Sequence, residues 1–284
     1  MKVLSTLFIA NLLGASAFSI NQGAKFSTTA LQATPETSLT NTDPNWFPAE
    51  MPNMKRFEGG ESLKTLNIPA GAGHAQMLFF TDNGRPLHAQ VEMWLGPIRR
   101  MHNMEIYNES GGPFRAILSL KKQAQTLKIS SLSTYNFPFY AGVSIPSKEE
   151  SPQIADMIQN NFENAELRTK VQGANTDGNF SAVRTFPIPA DVDSVQVVCW
   201  SKHTGRKSLR ARIELCQAPN NPKQSYNLQC SGSYQPYTCV VPTPGPGWTL
   251  RIFNKKFLED GLFEIAVIPY EKSSSEYDSL QWSD

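Results

Sequence analysis

Along most of the chain, apolar and polar residues alternate with a period of two over short runs. Turn-forming clusters such as TDNG, ESGGP, PNNP and TPGPG separate the runs. That period sends successive side chains to opposite faces of a strand. PLHAQVEMWLGP, residues 86–97, shows it clearly: Leu87, Ala89, Val91 and Met93 share one face, and His88, Gln90 and Glu92 share the other. One apolar face per strand, many short strands and no strand–helix alternation predict an all-β fold of sandwich or jelly-roll type. SPQIADMIQNNFENAELRT, residues 151–169, is the exception. There Ile154, Met157, Ile158, Phe162 and Ala165 recur at helical spacing, with Ser151 expected to cap the helix and Pro152 to open it.

The strand pattern occurs twice. LKTLNIPA (63–70) aligns with VRTFPIPA (183–190), AQMLFF (75–80) with VQVVCW (195–200), and FYAGVSI (139–145) with FEIAVIP (263–269). PLHAQVEMWLGP aligns with SLRARIELCQAP (208–219), in which Leu209, Ala211, Ile213 and Leu215 form the apolar face and Arg210, Arg212 and Glu214 the polar one. The offset drifts only from 120 to 124, so a few turn insertions account for it. The expectation is a tandem duplication of two β-sandwich units, 59–146 and 181–270, joined by a linker over 147–180 that carries the helix. The apolar faces, the glutamates Glu92 and Glu214, and the terminal prolines Pro97 and Pro219 persist in both copies. Trp94 and Gly96 are replaced by Cys216 and Ala218. Architecture is kept while surface diverges, which moves Trp94 and Gly96 from suspected ligand site to suspected contact surface.

The ends differ from the core. Residues 1–17 combine one Lys, an apolar run from Val3 to Leu13 and a small-residue cleavage site, as a signal peptide does. Residues 18–33 are rich in Ser, Thr, Ala and Gln without an acid, as in a plastid transit peptide. An arm over 34–58 holds Trp46 and Phe47 among prolines, and a tail over 271–284 holds Tyr277, Leu280 and Trp282 in an acidic stretch. Two aromatic-bearing extensions suit docking on a neighbour by strand addition or pocket insertion.

Composition narrows the chemistry. Lys plus Arg number 26 against 25 Asp plus Glu, and 24 against 25 once Lys2 and Lys25 leave with the leader, so no strong field points to nucleic acid or an anionic membrane. The leader's apolar run is too short to span a bilayer. No nucleophile elbow, zincin helix, P-loop or dinucleotide fingerprint occurs. His74, His88, His102 and His203 are scattered and unrepeated, and the cysteines 199, 216, 230 and 239 contain no CxxC. No catalytic residue, metal site or cofactor is expected. Glu92 and Glu214 are expected to pair with basic neighbours across the sheet rather than with each other. Asn108 and Asn179 begin glycosylation sequons.

The plastid-type leader, the doubled β unit, and VEMWLGP (91–97) with its partner IELCQAP (213–219) together resemble the pyrenoid shell proteins of diatoms, over residues 59 to 270. The resemblance implies a structural, non-enzymatic protein at the pyrenoid periphery in the plastid stroma. It implies self-association into a sheet around the Rubisco matrix that supports carbon dioxide concentration and fixation, with Rubisco and other pyrenoid proteins as further candidate partners. Near-zero net charge, exposed sheet edges and non-identical halves are compatible with propagating contacts. The assembly contacts expected are Trp94, Gly96, Pro97, Arg99, Tyr277, Leu280 and Trp282. The competing reading is a tandem jelly-roll module that binds carbohydrate or protein, with Trp94, Trp200 and Trp248 as platforms. A plastid enzyme of unrecognised chemistry is the third.

Overall fold

A computed structural model describes residues 46–133, 137–173, 182–204, 207–218, 220–256 and 261–272. The leader, the tail aromatics Tyr277, Leu280 and Trp282, and the sequon at Asn179 lie outside the described residues.

The first half supplies β1 (Lys55–Phe57), β2 (Leu63–Ile68), β3 (His74–Phe80), β4 (Leu87–Leu95), β5 (Arg99–Asn108), β6 (Phe114–Ser119), β7 (Gln125–Ser131) and β8 (Phe139–Ser144). Helix α1 (Glu150–Asn164) follows. The second half supplies β9 (Leu167–Val171), β10 (Val183–Pro187), β11 (Val192–Trp200), β12 (Leu209–Gln217), β13 (Pro222–Cys230), β14 (Tyr237–Pro242), β15 (Trp248–Asn254) and β16 (Phe263–Lys272). The expected all-β sandwich is observed. Its two halves do not form separate sandwiches, because strands of both enter the same two eight-stranded sheets. One sheet runs β1-β8-β3-β6-β14-β11-β16-β9 and the other β10-β15-β12-β13-β5-β4-β7-β2. A single apolar core, from Phe57 to Val267, fills the space between them.

Each order reads the same from either end when a strand is exchanged for the one eight places along. The halves meet where a strand pairs antiparallel with its own counterpart, β5 with β13 and β6 with β14. Glu105 lies opposite Asn227 at the first joint and Ala116 opposite Cys239 at the second. Those pairs mark where a local twofold axis crosses each sheet. Beside the joints, ordinary strand alternation turns apolar side chains into the core: Leu87, Ala89, Val91 and Met93 of β4 are fully enclosed, as are Ile213 and Leu215 of β12. Burying such side chains stabilises by about 1.5–3 kcal/mol each before chain entropy is counted.

Helix α1 lies on the outer face of the first sheet. Ile154, Ile158 and Phe162 pack there against Ile117, Val198, Val240 and Ala266, with Met157 and Ala165 at the margin. The apolar stripe read from the sequence is the packed face, but the cap is different. Ser147 Oγ accepts the Glu150 N–H at 3.1 Å and the Glu150 carboxylate accepts the Ser147 N–H at 2.8 Å, a reciprocal capping box. Ser151 therefore sits inside the first turn, where its buried hydroxyl meets His74 Nδ1 at 2.6 Å. The serine four residues earlier won because SKEE places a glutamate three positions after it, while the residue three positions after Ser151 is Ile154.

The arm is also corrected. Phe47 is 2% exposed, meets Tyr270 edge-on at 5.5 Å and joins the helix cluster, while Trp46 packs at its margin and accepts a hydrogen bond from Gln76 on its carbonyl. These two aromatics serve the chain's own fold instead of a neighbour.

Candidate interaction surfaces

Among the described residues no helix covers the outer face of the second sheet. Its polar positions come from alternation: residues whose neighbours along the strand are buried must face out. Glu92, in β4, lies opposite Lys128 in β7 and holds Lys128 Nζ at 2.9 Å and Arg100 Nη1 at 2.6 Å. Glu214, its counterpart in β12, lies opposite Arg251 in β15 and holds Arg251 at 2.8 Å and Arg212 at 2.7 Å. The expected cross-sheet pairing is present at both. Burial pushes the Glu92 carboxyl up, but hydrogen bonds and charge from Lys128 and Arg100 outweigh it and hold the group below the usual range.

Between these clusters, at the twofold joint, Glu105 accepts from Asn227 at 3.0 Å and contacts His88 Nε2 at 3.1 Å. Desolvation opposes the charge here too, yet His88 and Asn227 leave the Glu105 carboxyl lowered. Gln90 donates to Asn103 at 3.0 Å. A cavity of about 550 Å³ opens above the joint, bounded by Asn103, Glu105, Arg210, Asn227, Gln229 and Lys255. Its one carboxylate is already engaged, and no nucleophile–base pair lines it. Among the described residues no group of three His, Cys, Asp or Glu could hold a metal ion. No helix among them is long and apolar enough to cross a membrane.

The structure brings four of the seven expected contact residues together. Trp94, Gly96, Pro97 and Arg99 form the tip of the β4–β5 hairpin. Sequence reading missed their neighbour Ile98, which is 89% exposed. Gly96 adopts φ 67°, and Ala218, at the same place in the β12–β13 hairpin, adopts φ 66°. The turn is conserved in shape although only the first copy has the residue that favours it. Cys216, in the place of Trp94, is fully buried, so the two tips present different surfaces. The tryptophans of the competing reading are largely committed. Trp248 is buried with its indole N–H on Pro244 O, and Trp200 meets Phe162 edge-on at 5.2 Å. The four cysteines are buried and free. Asn108 is fully buried, donating to Gly112 O and accepting from Ser110, which removes it as a glycan acceptor in the folded chain.

Fold and surface thus define an all-β sandwich with one helix-covered face and one face of closed ion-pair clusters. A family model described as diatom pyrenoid shell protein matches residues 47–269. The chain belongs to that family, which associates it with the pyrenoid, a body of the plastid, and with a structural role. No curated protein sequence matches it. Among solved structures, a chain of Sulfolobus turreted icosahedral virus is 10% identical, covering 78% of this chain and 95% of its own, with a TM-score of 0.22. The turret protein A223 of that virus is 9% identical over 76% and 97%, with a TM-score of 0.19. Oxalate decarboxylase of Lactobacillus farciminis is 13% identical over 84% and 97%, with a TM-score of 0.16. Likeness at these TM-scores carries no argument about fold or activity.

Proposed function

We propose that this chain is a self-associating building block of the sheet that encloses the Rubisco-containing matrix at the pyrenoid periphery, in the plastid stroma, and so supports carbon dioxide concentration and fixation. Membership of the diatom pyrenoid shell family over residues 47–269 carries this reading. The role is structural and non-enzymatic. In support, Glu92 and Glu214 on the open face are each spent on two neighbouring cations, and the one carboxylate at the cavity, Glu105, is engaged by His88 and Asn227. The mirrored strand order favours an origin by tandem duplication, with residues 59–146 and 181–270 as the two copies. The hairpin tip at Trp94, Gly96, Pro97 and Arg99 and the tail residues Tyr277, Leu280 and Trp282 are the proposed contacts between copies, and Rubisco is a further proposed partner.

Electron microscopy of the purified mature chain tests the reading. Sheets or tubes should form without ligand, and discrete particles at high concentration would overturn it. A fluorescent fusion should draw a ring around the pyrenoid; diffuse stromal signal argues against the shell.

A further inference from the structure

Two eight-stranded sheets present four outer edges, and an exposed edge is a template for pairing unless it is blunted. Three of the four are blunted. Edge β1 is three residues long, and its exposed Arg56 pairs with Glu58. Edge β9 carries exposed Arg168 and Lys170. Edge β10 has no exposed residue, includes Pro187, which has no N–H to offer, and is tied to β9 by Arg184 donating to Thr169 Oγ1 at 3.3 Å. Edge β2 is blunted least, with six residues, no proline and a single charge. Five of its six residues are exposed, Leu63 by 50% and Leu66 by 42%. Its one charge, Lys64, lies 5.4 Å over the chain's own Phe57 ring.

The hydrogen-bond phase of β2 says which backbone groups are on offer. Ser131 N donates to Ser62 O at 2.9 Å and Gly60 N to Ser133 O at 3.1 Å, so even-numbered residues bond toward β7. Leu63, Thr65 and Asn67 therefore turn their N–H and C=O groups to the open side. We propose that β2 joins two copies of this chain, β2 against β2, antiparallel about a twofold axis at Thr65. The proposal rests on the self-association argued above and names its interface. In this register Thr65 faces the second copy's Thr65 and Leu63 faces its Asn67, giving three narrow pairs and six backbone hydrogen bonds. Leu66 meets the methylene stem of the second copy's Lys64. A strand paired antiparallel with its own equivalent is also how the chain's halves join, at Glu105–Asn227 and Ala116–Cys239. The external joint repeats the internal one and lengthens the open sheet without a break.

The test uses the mature chain carrying Thr65→Cys, with Thr185→Cys, at the equivalent place in β10, as control. Narrow-pair Cα atoms are about 5.5 Å apart, within disulfide reach. Mild oxidation should give a covalent dimer with Thr65→Cys and none with Thr185→Cys. Thr65→Pro removes an N–H that β7 does not use, so circular dichroism should be unchanged. Loss of two of the six bonds should weaken dimerisation about 30-fold in sedimentation. A mixed disulfide between positions 65 and 185, or a Cys at 65 shielded from maleimide in a monomer, would overturn the pairing. Sheets that form equally well with Thr65→Pro would sink the β2 joint and leave the shell reading standing. Covalent dimers from a chain that never forms sheets would do the reverse.

Discussion

His102 offers a test of how the core is built. It lies on the inward face of β5, between Met93 of β4 and Cys230 of β13, and is 2% exposed. Its ring stacks on Tyr237 at 6.0 Å, and neither ring nitrogen has a hydrogen-bond partner among the described residues. Burial pushes its pKa down to about 3, from an ordinary 6.5. Between those values the unfolded chain binds a proton that the folded chain refuses, so stability is full above pH 6.5 and falls with acid below it. At pH 5 the loss from this one residue is about 2 kcal/mol, from 1.36 kcal/mol per unit over the interval below 6.5. His102→Leu removes that proton site. At pH 8 the variant differs from the parent only by packing and by the lost polar atoms; on going to pH 5 its advantage should grow by about 2 kcal/mol. His74, lowered to about 4 by burial, is present in both proteins and cancels. The measurement is urea unfolding followed by tryptophan fluorescence at both pH values, at concentrations below assembly. Parallel stability profiles for parent and variant would refute the reasoning.

Three further outcomes follow from the packing and the ion-pair clusters. Glu92→Gln puts a neutral amide in a nearly buried position and leaves the part-exposed Lys128 and Arg100 without their counter-charge; it should cost about 1–3 kcal/mol by thermal unfolding, with Glu214→Gln behaving alike. Because the Glu92 carboxyl is lowered, its contribution persists above the ordinary carboxylate range and disappears as pH falls through its folded value; a stability deficit of Glu92→Gln that survives at strongly acidic pH would contradict this. Phe162→Ala should cost about 3–5 kcal/mol in urea unfolding, since its ring is fully enclosed between α1 and Trp200. Deleting the tail should weaken assembly, read by light scattering, with the fold intact; the cut belongs after Lys272, because Glu271 bonds Arg115 and Ser194 from within β16.

The strand pattern was legible because period-2 alternation is local. Leu87 to Met93 and their counterparts Leu209 to Leu215 are enclosed as their spacing demands, and Glu92 and Glu214 find cations on adjacent strands. The joining of the halves was not legible. Pairing of β5 with β13 sets residues more than a hundred positions apart side by side, and nothing in RRMHNMEIYN names PKQSYNLQC as its neighbour. Strands β1 and β9, three and five residues long, are too short for a periodic signal and were read into the arm and the linker. His102 sits in a position that alternation marks as buried, yet a histidine in a polar-looking run reads as surface. Of the expected contact surface, the hairpin tip was visible as a difference between copies, whereas Ile98 falls one residue beyond the aligned motif.

Among the described residues α1 is the one α-helix, and it packs on the first sheet. The twofold that relates antiparallel neighbours within a sheet stands perpendicular to that sheet. The two copies joined through β2 would therefore turn their helices to the same side. A layer that kept this facing at its other contacts would be a sided object: one surface carries α1 with the acids Asp156 and Glu163, the other the Glu92 and Glu214 clusters with their arginines and lysine. Whatever lies within such an envelope would meet a different chemistry from whatever lies outside it.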